Sequence, residues 1–381
     1  MSESSTPVLM LDLDAQRRAI GPLMNERIAS VLEHGQFILG PEVKELEELL
    51  AHRTGVKHVV TCGNGTDALQ VVLMAWGIGP GDAVFVPSFT FTSTAEVVAL
   101  VGATPIFCDV HEDTYNLDVA SLEAAIDAAL EAGVLTPRAV IPVDLFGLPA
   151  DYPSIHAVAE RYGLKVLSDA AQSYGAALDG RPVGSLAEAT ATSFFPAKPL
   201  GCYGDGGAVF TDDDELAALM RSIRVHGKGT DKYDTVRIGL NSRLDTIQAA
   251  ILLAKLTVFD DEIAARQQVA DRYTDALENV PGIVTPSRAP SAWAQYTLRV
   301  PGGRRDRLVQ HLKEQGIPSA VYYPRVLADQ PAFRDVAQYS LPTPVSSASV
   351  LEVISLPVHP YLRETSVRQV IESLLAMRSD V

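Results

Sequence analysis

The sequence predicts an α/β protein built on a mostly parallel sheet with helices on both faces. From about residue 55 to 210, short runs rich in β-branched residues alternate with segments of helical pattern. Glycine and proline mark the joins between them, as in GIGPGD, GLPAD and DGRPVG. Alternation at this spacing is typical of strand–helix–strand units, whose strands pair in parallel. We therefore expect a large domain that contains a seven-stranded sheet.

Seven segments are the candidate strands of that sheet. In chain order they are KHVVTC, AVFVP, TPIFCDV, AVIPVDLF, KVLSDA, TATSFF and GAVFT. The helical segments between them are TDALQVVLMAW, STAEVVALVG, DVASLEAAIDAALEAG and DYPSIHAVAERYG.

The pattern changes after residue 243. One long helix is predicted from Leu244 to about Leu277, and beyond it GIVTP, YTLRV and SAVYYP have the character of strands in a smaller α+β unit. Helices are expected at RRDRLVQHLKEQG and TSVRQVIESLLAM. We therefore predict a large domain over 1–255, including an N-terminal arm, and a small C-terminal domain over 256–381.

Composition argues against several classes of protein. Of the 381 residues, 47% are hydrophobic and 20% are charged, which predicts a large buried core and not a disordered chain. The net charge of −16 would repel nucleic acid and anionic membranes, so an anionic substrate needs a local cationic site. Three scattered cysteines and histidines without the H-E-x-x-H spacing give no sign of a metal site. With neither a signal peptide nor an 18-residue apolar run, a cytoplasmic protein is expected.

The segment SFFPAKPLGCYGDGGAVF presents a lysine among glycines. A strand is expected to end at Phe195, Pro196 then fixes a turn, and Lys198 follows it. The glycines after this lysine permit close approach of the backbone to a ligand. Two interpretations are open: a solvated lysine beside a hairpin, or an amine that forms a Schiff base with a carbonyl.

A second segment, KVLSDAAQSYG, places Asp169 at the end of an apolar strand and Gln172 three residues later. Open α/β sheets bind ligands at the carboxyl ends of their strands. Asp169 therefore either caps the following turn or pairs with a pyridinium nitrogen. That pairing would keep the ring protonated and able to accept electrons.

The third segment, VVTCGNGTDALQVVL, puts Gly63, Gly65 and Thr66 between a strand and a helix, where backbone N–H groups could bind a phosphate. It also fits a weak G-x-G-x-x-A dinucleotide pattern. The acidic residue expected about twenty positions later would be Asp82, but it lies in a turn and not at a strand end. A phosphate cradle, a pyridinium carboxylate and a lysine, in this order, are what pyridoxal phosphate (PLP) requires.

With these motifs the chain resembles the DegT/DnrJ/StrS family of sugar-nucleotide aminotransferases, which are PLP enzymes of fold type I. The resemblance rests on HGQFILGPEV, NGTDAL, PSFTFTSTAE, DAAQSYGA, SFFPAKPLGCYGDGGA and IGLNSRLDTIQAAIL, and it runs over nearly the whole chain. PLP-dependent sugar dehydratases are similar but carry histidine in place of the lysine, so Lys198 argues against them. A PLP-binding regulator without enzymatic activity and an NAD-linked enzyme remain as alternatives.

The resemblance implies a role for each motif residue. Lys198 and Asp169 would be catalytic: the lysine would bind PLP through a Schiff base and move a proton, and the aspartate would pair with the pyridine nitrogen. Phe91 would stack on one ring face, unless it is an ordinary core aromatic, and Gln172 would lie against the ring or its phenolic oxygen. The implied cofactor-binding residues are Gly65, Thr66, Phe91, Asp169, Gln172, Ser193, Lys198 and Asn241.

A homodimer with a shared active site is also implied. Asn241 from the partner subunit would complete the phosphate site, and Arg243 beside it, with Tyr322 and Tyr323, would bind substrate. The segment 221–243 holds six Lys and Arg residues against two Asp. It could attract a nucleotide diphosphate or could be a solvated basic face.

The implied reaction is a transamination, in which L-glutamate converts PLP to pyridoxamine phosphate and the amine passes to a keto carbon of a nucleotide-linked sugar. The motifs most resemble the branch that aminates C3 of UDP-2-acetamido-3-oxo-glucuronate for bacterial surface polysaccharides. After Pro324 the chain reads RVLADQ, where the family commonly continues with Pro-Leu-His. Asp234 and Thr235 stand where relatives tend to carry histidines. Another UDP-, dTDP- or GDP-keto sugar, aminated at C3 or C4, is therefore the alternative.

Overall fold

A computed structural model describes residues 7–231 and 233–377. The strands of its first 211 residues are β1 His58–Cys62, β2 Asp82–Pro87, β3 Thr104–Cys108, β4 Thr136–Val140, β5 Lys165–Asp169, β6 Ala177–Leu178, β7 Arg181–Pro182, β8 Ala189–Ser193 and β9 Gly207–Thr211. Seven of them form one sheet in the order β1-β9-β8-β5-β4-β2-β3, and β6 pairs with β7 in a short hairpin. In the sheet β9 runs antiparallel to both of its neighbours, and the other pairs are parallel. The predicted seven-stranded, mostly parallel sheet is confirmed.

Helices pack on both faces of this sheet. They are α1 Leu13–His34, α2 Pro41–Thr54, α3 Gly65–Ala75, α4 Ser93–Leu100, α5 Val119–Ala132, α6 Tyr152–Tyr162, α7 Asp214–Ile223 and α8 Thr246–Leu256. One core lies between the sheet and α3, α4 and α7, and a second lies between the sheet and α5 and α6. In residues 7–231 and 233–377 no helix is both long and apolar enough to cross a membrane.

A smaller α+β part follows α8. Its elements are α9 Phe259–Leu277, β10 Tyr296–Arg299, α10 Arg305–Glu314, α11 Arg334–Ala337, α12 Pro344–Glu352, β11 Val353–Leu356 and α13 Glu364–Ala376. Single 3₁₀ turns lie at Leu145–Gly147, Leu327–Asp329 and Pro331–Phe333. β10 and β11 pair antiparallel, and α9, α10 and α13 enclose a separate core with them.

The single helix predicted from Leu244 to Leu277 is wrong, because the structure has two helices, α8 and α9. Thr257 and Val258 separate them, and Val258 has φ −118° and ψ 1°, outside the helical region. The hydroxyl of Thr257 donates to the carbonyl of Ala254 at 2.7 Å and competes with continuation of the helix. The domain boundary at 256 stays a prediction.

Three predicted strands differ in the structure. Of the AVIPVDLF segment, only the first two residues belong to a strand, because β4 ends at Val140. GIVTP and SAVYYP each contribute one isolated bridge, Val284 to Arg299 and Ala320 to Ser355. The strand that pairs with β10 is β11, whose residues VISL were not among the predicted strands. A short apolar run does not reveal its pairing partner, since pairing depends on contacts distant in sequence.

Close backbone approach joins β9 to the turn after β1. A Cβ atom on Gly207 would lie 2.4 Å from the carbonyl oxygen of Asn64 and 2.9 Å from the backbone nitrogen of Gly65. Both of these atoms belong to the backbone, which cannot rotate away as a side chain can. Glycine is therefore required at 207 for the start of β9 and the start of α3 to meet.

We predict that Gly207→Ala destabilises the protein by about 1–3 kcal/mol, the usual cost of overpacking a tight site. The free energy of unfolding from urea denaturation measures the change. Gly79→Ala is the control, because a Cβ there meets nothing nearer than 3.7 Å. That variant should stay within about 0.5 kcal/mol of wild type. Equal stability of the two variants would contradict the steric argument.

Candidate active site

A cavity of about 630 Å³ opens where β5 and β8 end, between the sheet and the C-terminal part of the chain. Nine of the residues predicted from sequence line it: Gly65, Thr66, Phe91, Asp169, Gln172, Ser193, Lys198, Tyr322 and Tyr323. Two others, Asn241 and Arg243, are not part of its lining. The structure thus brings together the three sequence segments that the motifs singled out.

Lys198 and Asp169 face this cavity and act on each other electrostatically. Lys198 follows β8 in a turn closed by the hydrogen bond from its N–H to the carbonyl of Phe195, at 2.9 Å. Burial lowers the pKa of the Lys198 amine, and the Asp169 carboxylate opposes that shift. A lysine with a lowered pKa is more often uncharged at neutral pH, as a nucleophilic amine must be.

Two donors hold the buried carboxylate of Asp169. The hydroxyl of Thr94 donates to Oδ2 at 2.8 Å, and the backbone N–H of Ala171 donates to Oδ1 at 3.2 Å. Burial raises the pKa of Asp169, whereas these two hydrogen bonds and Lys198 lower it. Each carboxylate oxygen can still accept a further hydrogen bond. Sequence reasoning did not single out Thr94, although it lies in the PSFTFTSTAE motif at the start of α4.

The start of α3 and the end of β8 form a phosphate cradle. α3 begins at Gly65, and the side chain of Asn64 caps it by accepting a hydrogen bond from Asp67 N at 2.8 Å. A Cβ on Gly65 would lie 2.7 Å from the Cβ of Ser193, so only glycine lets the two elements meet. The first N–H groups of a helix have no partner within the helix and carry partial positive charge. With the Ser193 hydroxyl they form a donor set that fits a phosphate group.

Gln172 is bonded within the protein. Its Oε1 accepts from the N–H of Phe146 at 2.7 Å, and its Nε2 donates to the hydroxyl of Tyr323 at 3.2 Å. Phe91 is 52% exposed, with its ring 6.1 Å from that of Tyr323, so it is not an ordinary core aromatic. Gln172 therefore couples the turn after β5 to a residue that the sequence analysis assigned to the substrate.

Asn241 and Arg243 lie on a segment that is hydrogen-bonded to the turn between β1 and α3, next to the phosphate cradle. Ser242, between them, accepts a hydrogen bond from the N–H of Gly63 at 3.0 Å. Asn241 itself is exposed and forms an isolated bridge with Val225.

The basic segment 221–243 is not uniformly a solvated face. Arg224 is 7% exposed, and its Nη1 lies 2.6 Å from Oε1 of Glu47. Lys232 lies outside the described residues.

Nine of the lining residues were not among the predicted site residues, and Asn64, Asp205 and Gln295 are polar members of this set. Asn64 and Asp205 lie in the NGTDAL and GDGG motifs, so proximity to these motifs was an available signal. Gln295 reaches the cavity through tertiary structure, since its N–H donates to the carbonyl of Phe146 at 3.3 Å. Within the described ranges no group of three or more His, Cys, Asp or Glu residues could hold a metal ion.

The site fits PLP on its own geometry. The cradle offers donors to a phosphate, Asp169 offers an acceptor to a protonated ring nitrogen, and Lys198 offers an amine to an aldehyde. The cavity volume also lies within the usual range for sites that bind small molecules.

Comparison with known proteins agrees with this geometry. Residues 19–375 match the DegT/DnrJ/EryC1/StrS aminotransferase family. UDP-2-acetamido-2-deoxy-3-oxo-D-glucuronate aminotransferase of Pseudomonas aeruginosa is 49% identical over 369 residues, which cover 96% of this chain and 98% of that protein.

Two crystal structures extend the comparison. A DegT DnrJ EryC1 StrS aminotransferase from Brucella abortus is 51% identical and superposes with a TM-score of 0.94 over 97% of this chain and 99% of that one. The protein ntda from Bacillus subtilis, with bound cofactor PMP, is 28% identical with a TM-score of 0.90, covering 99% of this chain and 86% of that one. On its cavity and on these matches, the chain belongs to the DegT/DnrJ/EryC1/StrS aminotransferase family and is a PLP-dependent aminotransferase.

Proposed function

We propose that this protein transfers the amino group of L-glutamate to C3 of UDP-2-acetamido-3-oxo-glucuronate, for bacterial surface polysaccharide synthesis. One observation carries the aminotransferase chemistry: an amine with lowered pKa, Lys198, faces the buried carboxylate of Asp169 in the cavity that holds the phosphate cradle. The choice of sugar rests on the 49% identity to the Pseudomonas aeruginosa enzyme over nearly its whole length.

The residues of the cavity divide the chemical work. When bound, PLP supplies an aldehyde that takes up an amino group and a ring that accepts electrons. Nζ of Lys198 would bind at that aldehyde and, once displaced by glutamate, would accept the proton that leaves the glutamate α-carbon. Asp169 would hold the proton on the pyridine nitrogen, since a carboxylate stabilised by Thr94 and Ala171 favours a cationic partner.

Other residues would position the reactants. Gly65, Thr66 and Ser193 would bind the phosphate through backbone N–H groups and a hydroxyl. Phe91, half exposed into the cavity, would cover one face of the ring and exclude water. Tyr323, fixed by its hydrogen bond from Gln172, would contact the sugar together with its neighbour Tyr322.

We propose further that two subunits share each active site. Among the described residues that line the cavity, the carboxylates are Asp67, Asp169 and Asp205, and the one cationic side chain is Lys198. A sugar linked to a nucleoside diphosphate adds negative charge, so its binding calls for cations from outside this lining. Asn241 and Arg243, exposed or partly exposed beside the phosphate turn, would supply the partner's site.

Two features support an interface at that segment. Tyr233, Val236 and Ile238 lie within six residues of each other in sequence and are 88%, 52% and 84% exposed, and a group of exposed apolar side chains is a feature of interaction surfaces. Backbone hydrogen bonds from His226 N to Leu240 O, at 2.8 Å, and from Ser242 N to Arg224 O, at 3.0 Å, fix the segment. Arg243 would then pair with the carboxylate of the glucuronate.

Another UDP-, dTDP- or GDP-keto sugar remains the alternative substrate, and a cytoplasmic location stays a prediction.

The hydroxyl of Thr94 should govern how cofactor binding depends on pH. Because its hydrogen bond lowers the pKa of Asp169, Thr94→Val should let Asp169 protonate at higher pH. On acidification, PLP affinity should therefore fall earlier in this variant, by about tenfold at the acidic end. Absorbance titration of the apoprotein with PLP between about pH 5 and pH 8 measures it. Thr94→Ser keeps the hydroxyl and should follow wild type; the same early loss in Thr94→Ser would contradict the argument.

The amino-transfer activity is tested by the absorption spectrum of the protein with PLP. We expect a visible band that bleaches on addition of L-glutamate alone, and that is missing from Lys198→Ala after dialysis against glutamate-free buffer. UDP-2-acetamido-3-oxo-glucuronate should restore the band in the wild type, because the amine leaves with the sugar.

The outcomes separate the alternatives. A coloured protein that ignores glutamate would indicate another donor or a regulator. Recovery of the band by a dTDP- or GDP-keto sugar, and not by UDP-2-acetamido-3-oxo-glucuronate, would replace the proposed substrate while keeping the reaction. A colourless protein that PLP cannot reconstitute would contradict the whole proposal.

Mixed dimers test the shared site. Lys198→Ala and Asn241→Ala should each be nearly inactive alone. Each mixed dimer would combine Lys198 of one subunit with Asn241 of the other in one intact site, so an equimolar mixture should recover about a quarter of wild-type activity. If Asn241 served its own subunit, mixing would restore nothing. Subunits must be unfolded and refolded together, and the dimer is verified by sedimentation.

A further inference from the structure

Helix α8 holds the backbone that follows Lys198. Nζ of Lys255 donates a hydrogen bond to the carbonyl of Gly201. Oε1 of Gln248 accepts from the N–H of Tyr203 at 3.0 Å, and Nε2 of Gln248 lies 3.5 Å from the carbonyl of Tyr203. Gln248 and Lys255 are seven residues apart, so two helical turns place them on the same face. Both side chains therefore form hydrogen bonds to one short stretch of backbone, residues 201–203.

That stretch is rigidly connected to the lysine turn. The N–H of Cys202 donates to the carbonyl of Phe194 at 2.7 Å, which closes the loop that contains Lys198. Gly201 packs so closely inside the loop that a Cβ would lie 2.5 Å from the carbonyl oxygen of Phe195 and 2.8 Å from that of Pro196. A shift of residues 201–203 would therefore move the turn from which Lys198 projects.

Lys255 is an unusual residue to find in this place. Its side chain is only 1% exposed, and burial lowers the pKa of its amine to about 8. Glu262 favours the charged form, Cys202 does so more weakly, and Arg266 disfavours it. Oε1 of Glu262 accepts hydrogen bonds from Gln16, at 2.9 Å, and from Tyr361, at 2.6 Å.

The amine of Lys255 contacts the loop that follows Lys198. The amine lies 4.6 Å from the ring centre of Tyr203, in addition to its bond to Gly201. Lysine is almost never fully buried without a partner, and here both contacts belong to the loop after Lys198. Neither Lys255 nor Gln248 lines the cavity.

We propose that Gln248 and Lys255 are positioning residues, which fix the loop over 201–203 and thereby aim the amine of Lys198 into the cavity. The inference rests on the proposed role of Lys198. It explains why a helix outside the cavity directs two polar side chains, one of them buried lysine, at the backbone of a single loop.

The test compares Lys255→Met and Gln248→Leu with the wild type, all loaded with PLP. Each substitution introduces an apolar side chain of similar length and removes the side-chain hydrogen bonds to the loop. Lys165→Met is the control for losing a lysine over an aromatic ring: Nζ of Lys165 lies 5.3 Å from the ring centre of Trp76, and this half-exposed side chain is not part of the cavity lining. The measurements are the pH midpoint of the visible band, the melting temperature, and the KM and kcat of the glutamate half-reaction.

Both loop variants should shift the midpoint of the visible band by about half a pH unit or more, because the amine that forms the band is displaced. The kcat should fall by about tenfold to a hundredfold, while KM for glutamate changes by less than about threefold. The shift in Gln248→Leu is decisive. Glutamine carries no charge, so a shift in this variant cannot come from the loss of a nearby charge, as it could in Lys255→Met. Lys165→Met should match wild type in all readouts.

A lower melting temperature with an unchanged midpoint and kcat in both loop variants would overturn the inference, because it would show a structural role alone. If Lys255→Met fails to fold, Gln248→Leu decides by the same criteria. Failure of the proposed function looks different: the wild type would then lack a glutamate-sensitive band, whereas the present inference fails only if that band exists and does not respond to the variants.

Discussion

The parallel pairing of β5 with β8 is the contact on which the active site depends. Its register sets Asp169 opposite Ala191, so Asp169 and Ser193 leave the sheet at the same edge. The connection from β5 to β8 contains the short hairpin β6–β7 and is long enough to return the chain for parallel pairing. Everything else in the cavity is placed relative to this pair.

Around that pair, the protein buries the carboxyl group of Asp169 at the end of an apolar strand. Burial alone would favour the neutral acid, and the opposing interactions come from a different element on each side: Thr94 from α4, Ala171 from the turn after β5, and Lys198 from the loop after β8. A network of this kind is costly if one member is missing, because a buried charge without partners is destabilising. The elements around the cavity are therefore energetically linked as well as adjacent.

Much of the fold could be predicted because its signals are local. GAVFT matches β9 residue for residue, and DYPSIHAVAERYG gives α6 within one residue at each end. Predictions failed where a local irregularity interrupts a strong pattern and where a distant contact decides the structure. The α8–α9 break follows from the local geometry of Thr257 and Val258 inside a strongly helical pattern, and β11 is a strand because it pairs with β10.

The sequence by itself determined which residues are the candidates for the chemistry, because lysine, aspartate and glycine are required at fixed places by what an amine, a carboxylate and a close backbone approach can do. Only the tertiary structure decided how these residues are held. Thr94 meets Asp169 from 75 positions away, and Lys255 meets the Lys198 loop from 54 positions away. No local pattern encodes such meetings, since they depend on how the strands pair and on which helix faces pack against them.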